Sequence, residues 1–396
     1  MKFAEKSCAI TGLGVSQIGR NLQRTAMSLG LDAAIAAISD AGLQTRDIDG
    51  VSTYPGQDFH GPPGYSPLSA WDMKNALDLS LTWYCGSAEM PGQFGAIINA
   101  CAAIALGLCR HVLVFRALTE STSAIACNRP GSAVGTGASR IAGHFSGLVP
   151  YRAYSAANWV AWYAQRHFHE FGTTREQLAE IALNGRRNAA LNPRAIFRQP
   201  LSMDQYLGAR MISTPLCLYD CDGPTDAAVA VVISAREALP DVETRPVFLE
   251  AVGCATSSLY SWEHVSDLTR QHPFDAARMM WARTELKPED IDIAQLYDGF
   301  SILAVQWLEA LGFCELGEGG SYIEGGRRIA LDGELPLNTA GGQLSEGRLH
   351  GFGLLVEACC QLRNQAGNRQ VTPTPKSAVV TSAGGPFGSC LLLRSE

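Results

Sequence analysis

Apolar and polar positions divide the chain into a short series of units. Ser7 to Ser16 is a strand-type run carrying Gly12 and Gly14, and Thr25 to Ala41 places alanine, leucine and isoleucine at helical spacing. Gly42 follows where a helix commonly ends in a left-handed glycine. Thr45-Arg46-Asp47-Ile48-Asp49-Gly50-Val51 then turns into a second strand. The same grammar returns late in the chain: a strand from Pro246 to Val252 with Gly253, a helix from Phe274 to Leu286, and Lys287-Pro288-Glu289-Asp290-Ile291-Asp292 turning into a strand from Ile293 to Tyr297. The two Asp-Ile-Asp turns each follow a strand and helix of similar length, which points to an internal duplication. Chance likeness of two βαβ units, a common motif, is the alternative.

The next elements correspond as well. A helix from Gly95 to Leu106 ends at Gly107 before a strand from His111 to Phe115, and a helix from Leu354 to Leu362 precedes a strand from Ser377 to Thr381. Each half reads as a layered α/β unit with buried helices. The halves are assigned to residues 1–245 and 246–396, with an insertion of loops and helices in the first at about 119–201. That insertion holds Tyr151, Tyr154, Trp159, Trp162, Tyr163, Phe168 and Phe171, read as core or interface rather than a ligand cage. A basic, polar-faced helix is expected from Ala179 to Leu191, ended by Asn192-Pro193.

Composition narrows the class. At 396 residues, with 46% hydrophobic and only 17% charged positions, the chain can bury a large core and hide part of its surface in an oligomer. A formal charge of −7 argues against a nucleic-acid binder, which would carry a basic stripe. The N-terminus shows no signal peptide, and Ala96 to Leu118, the most apolar stretch, is broken by Asn99, Arg110, His111 and Arg116, short of the ~18 uninterrupted apolar residues of a membrane span. The 12 cysteines sit singly in apolar runs, as reduced core residues of a cytoplasmic protein do. Cys217 and Cys221 lack the second pair or spaced histidines of a zinc site.

One stretch stands out as a candidate site. Leu335 to Gly353 packs five glycines, a proline, Arg348 and His350 between apolar segments, as a tight loop opening a helix at Leu354. A plain surface turn is the other reading. The acidic turn Tyr219-Asp220-Cys221-Asp222-Gly223-Pro224-Thr225-Asp226 is read as a hydrogen-bonded or solvated turn rather than a metal site.

Tyr297-Asp298-Gly299-Phe300-Ser301, Gly317-Glu318-Gly319-Gly320, Asn338-Thr339-Ala340-Gly341-Gly342 and Gly347-Arg348-Leu349-His350-Gly351, set in two α/β halves, resemble the thiolase superfamily. The likeness spans nearly the whole chain and is greatest to the sterol-carrier or lipid-transfer thiolase-like branch, which includes the steroid side-chain aldolases. It implies a thiolase fold, with duplicated αβαβα layered halves, and a dimer.

The departures from the family direct the chemistry. Where thiolases place a nucleophilic cysteine at the start of the buried helix, counting back from Gly107 lands near Met90; the nearest thiol is Cys85. Arg348 stands at the histidine of the Gly-His-Pro motif, Ser382-Ala383-Gly384-Gly385 at the Cys-x-Gly loop, and Tyr297 at the position that orders the oxyanion water or substrate. Covalent transfer through sulfur thereby loses its nucleophile, base and proton-transfer thiol together.

What the resemblance then implies is retro-aldol cleavage of a β-hydroxyacyl-CoA with a steroid or branched side chain, giving a ketone and a short acyl-CoA. Oxyanion donors, each about 3–4 kcal/mol, would carry most of the barrier lowering. Tyr297 is the first candidate for proton transfer, with a neighbouring cation, Arg348, expected to lower its pKa. Aldolases of the branch can carry a second tyrosine where this chain has Arg348, so His350 is the alternative acid or base. As structural residues, Tyr297 would be a buried hydrogen-bonded phenol, His350 a helix cap and Arg348 a salt-bridge anchor. Asp298, Gly341, Gly342, Ser382 and Gly384 are the substrate-binding candidates from the same motifs.

No metal and no cofactor beyond the CoA of the substrate is expected. The resemblance further implies a separate OB-fold protein with a zinc ribbon as partner, and no sterol-carrier extension is expected after Glu396. Two other readings stand: an acyltransferase using Cys85, and a non-catalytic acyl-CoA-binding subunit.

Overall fold

A computed structural model describes residues 3–56, 63–87, 89–126, 143–256, 262, 263 and 265–395, so part of the expected insertion, 127–142, lies outside the described residues. The first half lays down β1 (Cys8–Val15), α1 (Ala26–Asp40), β2 (Gly50–Thr53), α2 (Ala70–Ala76), β3 (Trp83–Gly86), α3 (Gly95–Ala105) and β4 (His111–Thr119). The chain then leaves the sheet for α4 (Glu120–Ala126), α5 (Ala156–Phe171), α6 (Arg175–Ala190), α7 (Met203–Leu207) and a small hairpin of β5 (Met211–Ser213) and β6 (Leu216–Cys217), returning as β7 (Asp226–Ala235). The second half follows with β8 (Val247–Thr256), α8 (His272–Trp281), β9 (Ile293–Gln295), α9 (Ser301–Ala310), α10 (Gly319–Ile323), α11 (Gly342–Ser345), α12 (Phe352–Leu362), β10 (Ser377–Gly384) and β11 (Phe387–Arg394).

The nine-stranded sheet runs β3-β2-β4-β7-β1-β8-β11-β10-β9. Read outward from the β1·β8 junction, the two sides repeat: β1 and β8 each pair antiparallel with the last strand of their half, which pairs antiparallel with β4 or β10, which pairs parallel with β2 or β9. The duplication expected from the Asp-Ile-Asp turns is therefore a repeat of topology. The halves join through two residue pairs, Ala9↔Phe248 and Ile10↔Val247.

Layering follows from burial. α3 and α12 lie together between the sheet halves, with Phe94 and Phe352 edge to face at 6.3 Å and Ile97, Leu355 and Val356 in a core shared with Val112, Val231, Val380 and Leu391. α1 covers the other face of the first half, and α8 and α9 that of the second. Strands covered on both faces read as continuous apolar runs; β4 and β7 are buried from end to end. α1 starts where Thr25 Oγ1 accepts from Ser28 N at 3.1 Å, a helix cap readable in the sequence.

Several elements differ from the sequence reading. The helix expected from Phe274 to Leu286 runs His272–Trp281, because Pro288 opens a separate 3-10 turn. The helix expected at Ala179 begins at Arg175, capped by Thr174. Of the insertion's aromatics, read as core or interface, Trp159 and Tyr163 are buried, with Tyr163 Oη donating to Trp262 O at 2.6 Å, whereas Tyr151, Tyr154 and Phe171 are exposed.

Candidate active site

Two loops from different halves are stitched together at the C-terminal end of β9. In the loop between β9 and α9, the Asn338 side chain zips to Leu296 through bonds of 2.7 and 2.9 Å, and Tyr297 N donates to Thr381 Oγ1 of β10 at 2.7 Å. The acidic turn packs onto it. Buried Asp220 accepts from Tyr206 Oη at 2.6 Å, Cys217 N at 2.8 Å and Ser301 Oγ at 2.5 Å, and Asp222 N donates to Gly299 O at 3.1 Å. Gly299 leaves room for both neighbours: a methyl carbon there would stand 3.2 Å from Tyr297 Oη and 3.3 Å from Asp222 Oδ2.

Opposite this pair stands the glycine-rich loop. Arg348 Nε lies 3.0 Å from His350 Nε2, 3.5 Å from Glu120 Oε2 and 3.7 Å from Asp222 Oδ1. His350 Nδ1 is 2.9 Å from Nη2 of Arg116, whose guanidinium sits 4.6 Å over the Tyr65 ring. The site has a front and a back. Tyr65, Asp222, Tyr297 and Arg348 are partly exposed, whereas Arg116, Glu120 and His350 are buried behind them.

Burial and charge set the protonation states. His350 is held well below the usual imidazole range, first by burial and then by the guanidiniums of Arg116 and Arg348, so its ring is neutral. Asp222 is pushed up to about 7 by burial, which Arg348 opposes and Glu120 and Asp298 reinforce. The Tyr297 phenol is raised, by burial first and then by Asp222 and Tyr65. Arg348 does pull it down, as expected from the sequence, but burial and the acidic neighbours outweigh that pull, so the phenol keeps its proton at neutral pH.

At the start of α3 the position facing this site is Gln93, not a thiol. Ser382 Oγ donates to Gln93 Oε1 at 2.8 Å, while Met90 packs back on Gly95. Cys85 lies on β3, several residues before α3, with its sulfur 3.7 Å from Asn99 Nδ2.

The remaining sequence candidates separate. Asp298 Oδ1 accepts from Gln343 N at 2.8 Å and caps α11, and a methyl carbon on Gly342 would stand 2.0 Å from its Oδ2, so both shape the loop rather than line the pocket. A methyl carbon on Gly341 would meet Ala189 of α6, and one on Gly384 would meet Leu303 of α9; both glycines serve close packing. Gln343, unmarked by the sequence, lies beside Tyr297 with its Nε2 buried and without an acceptor among the described residues. Asp222, Glu120, Arg116, Tyr65 and Gln93 were likewise not singled out as site residues. The one signal was the acidic turn, whose spacing does not show which carboxylate turns inward. Among the described residues no group of three His, Cys, Asp or Glu side chains could hold a metal.

A duplicated five-layer α/β body whose site gathers two phenols, two carboxylates, two guanidiniums and an imidazole defines a thiolase-fold protein with no cysteine among those groups. Residues 254–392 match the thiolase C-terminal domain-like family. The chain is 31% identical, over 100% of both sequences, to the steroid side-chain-cleaving aldolase of Thermomonospora curvata. It is 31% identical to the 17-hydroxy-3-oxo-4-pregnene-20-carboxyl-CoA lyase of Mycobacterium tuberculosis, over 94% of this chain and 97% of the relative. The solved Ltp2-ChsH2(DUF35) aldolase superposes with a TM-score of 0.86 at 29% identity, covering 99% of each chain. The chain belongs to the thiolase superfamily, in the thiolase-like branch of the steroid side-chain aldolases.

Proposed function

We propose that the protein is a carbon–carbon lyase that cleaves a β-hydroxyacyl-CoA bearing a steroid or branched side chain into a ketone and a short acyl-CoA, by a retro-aldol step without a cysteine nucleophile. The observation that carries this reading is the pairing of Tyr297 with Asp222 across Gly299, while the segment just before α3 meets the site through Gln93, bonded to Ser382, and not through a cysteine. Retro-aldol cleavage needs a base at the β-hydroxyl, donors for the enolate oxygen and an acid at the α-carbon. Tyr297, protonated at neutral pH, suits the last role. Arg348 and the Nε2 of Gln343, which lies beside the Tyr297 phenol, are donors of the kind an enolate oxygen requires. His350, enclosed by two guanidiniums, orients Arg348 rather than moving protons.

The acyltransferase reading loses ground because Cys85 is not at the start of α3. CoA enters as part of the substrate, and no separate cofactor is invoked. For partners, the aldolase of similar structure carries a DUF35 component in its name, and an OB-fold protein with a zinc ribbon is the accessory subunit we expect. A second copy of this chain is expected at the β3 edge. No helix among the described residues is long and apolar enough to cross a membrane.

The test is product analysis by chromatography with 17-hydroxy-3-oxo-4-pregnene-20-carboxyl-CoA, with and without an OB-fold partner. Ketone and short acyl-CoA should form, Tyr297→Phe should lower the rate about 10²–10⁴-fold as loss of a positioned acid does, and Cys85→Ala should leave it within twofold. Cleavage only of a β-ketoacyl-CoA, dependent on free CoA and on Cys85, would return the protein to the thiolases.

A further inference from the structure

The lyase reading leaves the base at the β-hydroxyl unassigned, and the site narrows the choice. His350 has a guanidinium against each ring nitrogen, at 2.9 and 3.0 Å, so a further proton would add a third positive charge to a buried cluster. Glu120 faces two cations, its carboxylate 3.5 Å from Arg348 Nε and 3.8 Å from His350 Nε2, and stands on α4, away from the loop that carries Tyr297. Asp298 is spent capping α11. Tyr297 and Tyr65 are both phenols raised by burial. Asp222 is the carboxylate that meets Tyr297 at Gly299.

Its backbone fixes it there. Asp222 follows Asp220, which three donors anchor, and is bonded through its own N–H to Gly299 O; Cys221 bridges to Phe300. The turn is thus clamped to the loop that carries Tyr297, and the Asp222 carboxylate and the Tyr297 phenol converge over the missing side chain of Gly299. Arg348 Nε, 3.7 Å from Oδ1, is beyond hydrogen-bonding distance and leaves the carboxylate able to accept from a ligand.

Resting on the lyase reading, we propose that Asp222 is the base that takes the β-hydroxyl proton, and that Tyr297 is its acid partner across Gly299. The Asp222 carboxylate removes the O–H proton, and that electron pair forms the ketone C=O. The Cα–Cβ bond breaks, and its pair passes into the thioester as an enolate. Tyr297 protonates the α-carbon, giving the short acyl-CoA and a phenolate beside Arg348. The proton held on Asp222 then passes to the phenolate and restores both groups, so one turnover neither takes up nor releases a proton.

The groups facing Asp222 are Arg348 from the glycine-rich loop, Glu120 from α4, and Asp298 and Tyr297 from its partner loop, with His350 and Arg116 behind them and Tyr65 beside Arg116 and His350. Burial first, opposed by Arg348 and reinforced by Glu120 and Asp298, pushes its carboxyl up to about 7, where a base is matched to neutral pH.

The experiment is the pH profile of kcat/KM for cleavage of 17-hydroxy-3-oxo-4-pregnene-20-carboxyl-CoA by the full chain, from pH 5 to 9, for wild type, Asp222→Asn and Asp222→Glu. Wild-type kcat/KM should fall tenfold per unit below about pH 7. Asp222→Asn should lose about 10²–10⁴-fold and lose that acidic limb, while Asp222→Glu should keep a limb and regain part of the rate. An Asp222→Asn variant within fivefold of wild type, or a slower one that keeps the limb, overturns the proposal and leaves a role only in placing Arg348. If Asp222→Asn does not fold, as judged by its melting curve, the wild-type profile decides: a limb near pH 7 supports the proposal and a flat profile between 5 and 8 overturns it. A wild type inactive on this ester yet cleaving the β-keto ester with free CoA instead sinks the lyase reading and this inference with it.

Discussion

His350 illustrates how one residue can be prominent in the sequence and yet not be the proton carrier. It adopts a left-handed φ of +51°, which costs a non-glycine residue energy, and that conformation directs its ring between Arg116 and Arg348. Being neutral when folded and free to protonate when unfolded, it binds fewer protons in the native state below the ordinary imidazole range. Its contribution is present above that range and is lost as pH falls. Asp222, Asp298 and Glu346, each pushed up to about 7 mainly by burial, act with the opposite sign: they bind protons in the folded state that the unfolded chain gives up between about 4 and 7. Comparison of wild type with His350→Gln cancels these shared terms. Urea denaturation should show wild type losing stability relative to the variant from pH 7 to pH 5, with a limiting slope of about 1.4 kcal/mol per unit. A difference that does not change with pH would mean that the ring takes up its proton in the folded protein as readily as in the unfolded chain.

At the level of elements, glycine sets the distance between strand and helix in both halves. A methyl carbon on Gly12 or Gly14 of β1 would stand 2.0 or 1.9 Å from a carbonyl oxygen of α1, and one on Gly253 of β8 would stand 2.0 Å from Ala276 O of α8. The clash is with backbone, which cannot swing aside. Gly253→Ala should therefore cost about 3 kcal/mol or more in a urea titration, beyond ordinary overpacking, whereas Gly147→Ala, with only Glu263 Oε1 nearby at 3.8 Å, should stay within about 0.5 kcal/mol. These contacts also explain what was legible. The β1-α1-β2 and β8-α8-β9 units could be read because strand glycines, helical alanines and the Asp-Ile-Asp turns occur in order along a local stretch. The β10-β11 hairpin is not legible as a pair, since the glycines of its turn, Gly384 and Gly385, also match the Cys-x-Gly loop of the thiolase pattern. In the site, Tyr297, Arg348 and His350 came from glycine-rich motifs. Asp222, Glu120 and Arg116 could not be read as site residues because the contacts that make them functional, to Arg348 and His350, join positions more than a hundred residues apart for Asp222 and more than two hundred for the other two.

Across the whole molecule, the sheet ends differently on its two sides. β9 is flanked by the segment around Leu337, through Ala294 N to Pro336 O at 3.1 Å and Asn338 N to Ala294 O at 3.0 Å. β3, at the other end, hydrogen-bonds among the described residues of the sheet only to β2, so its outer row of backbone groups offers a template for another strand. Apolar side chains surround that edge: Tyr84 is 49% and Trp71 53% exposed with their rings 4.8 Å apart, and Leu106 and Leu108 lie nearby, the latter's carbonyl accepting from Thr82 Oγ1. Exposed aromatics clustered at an unpaired edge are the composition of an interface centre rather than of ordinary surface. A second copy of the chain meeting this edge would cover the aromatics and pair the strand. Sedimentation velocity should then give a species of twice 42.4 kDa. Trp71→Glu with Tyr84→Lys, both on the surface and away from the Tyr297 cluster, should weaken self-association about 100-fold or more, since interface aromatics each carry about 2 kcal/mol or more. Association that is unchanged by the double substitution would place the interface elsewhere.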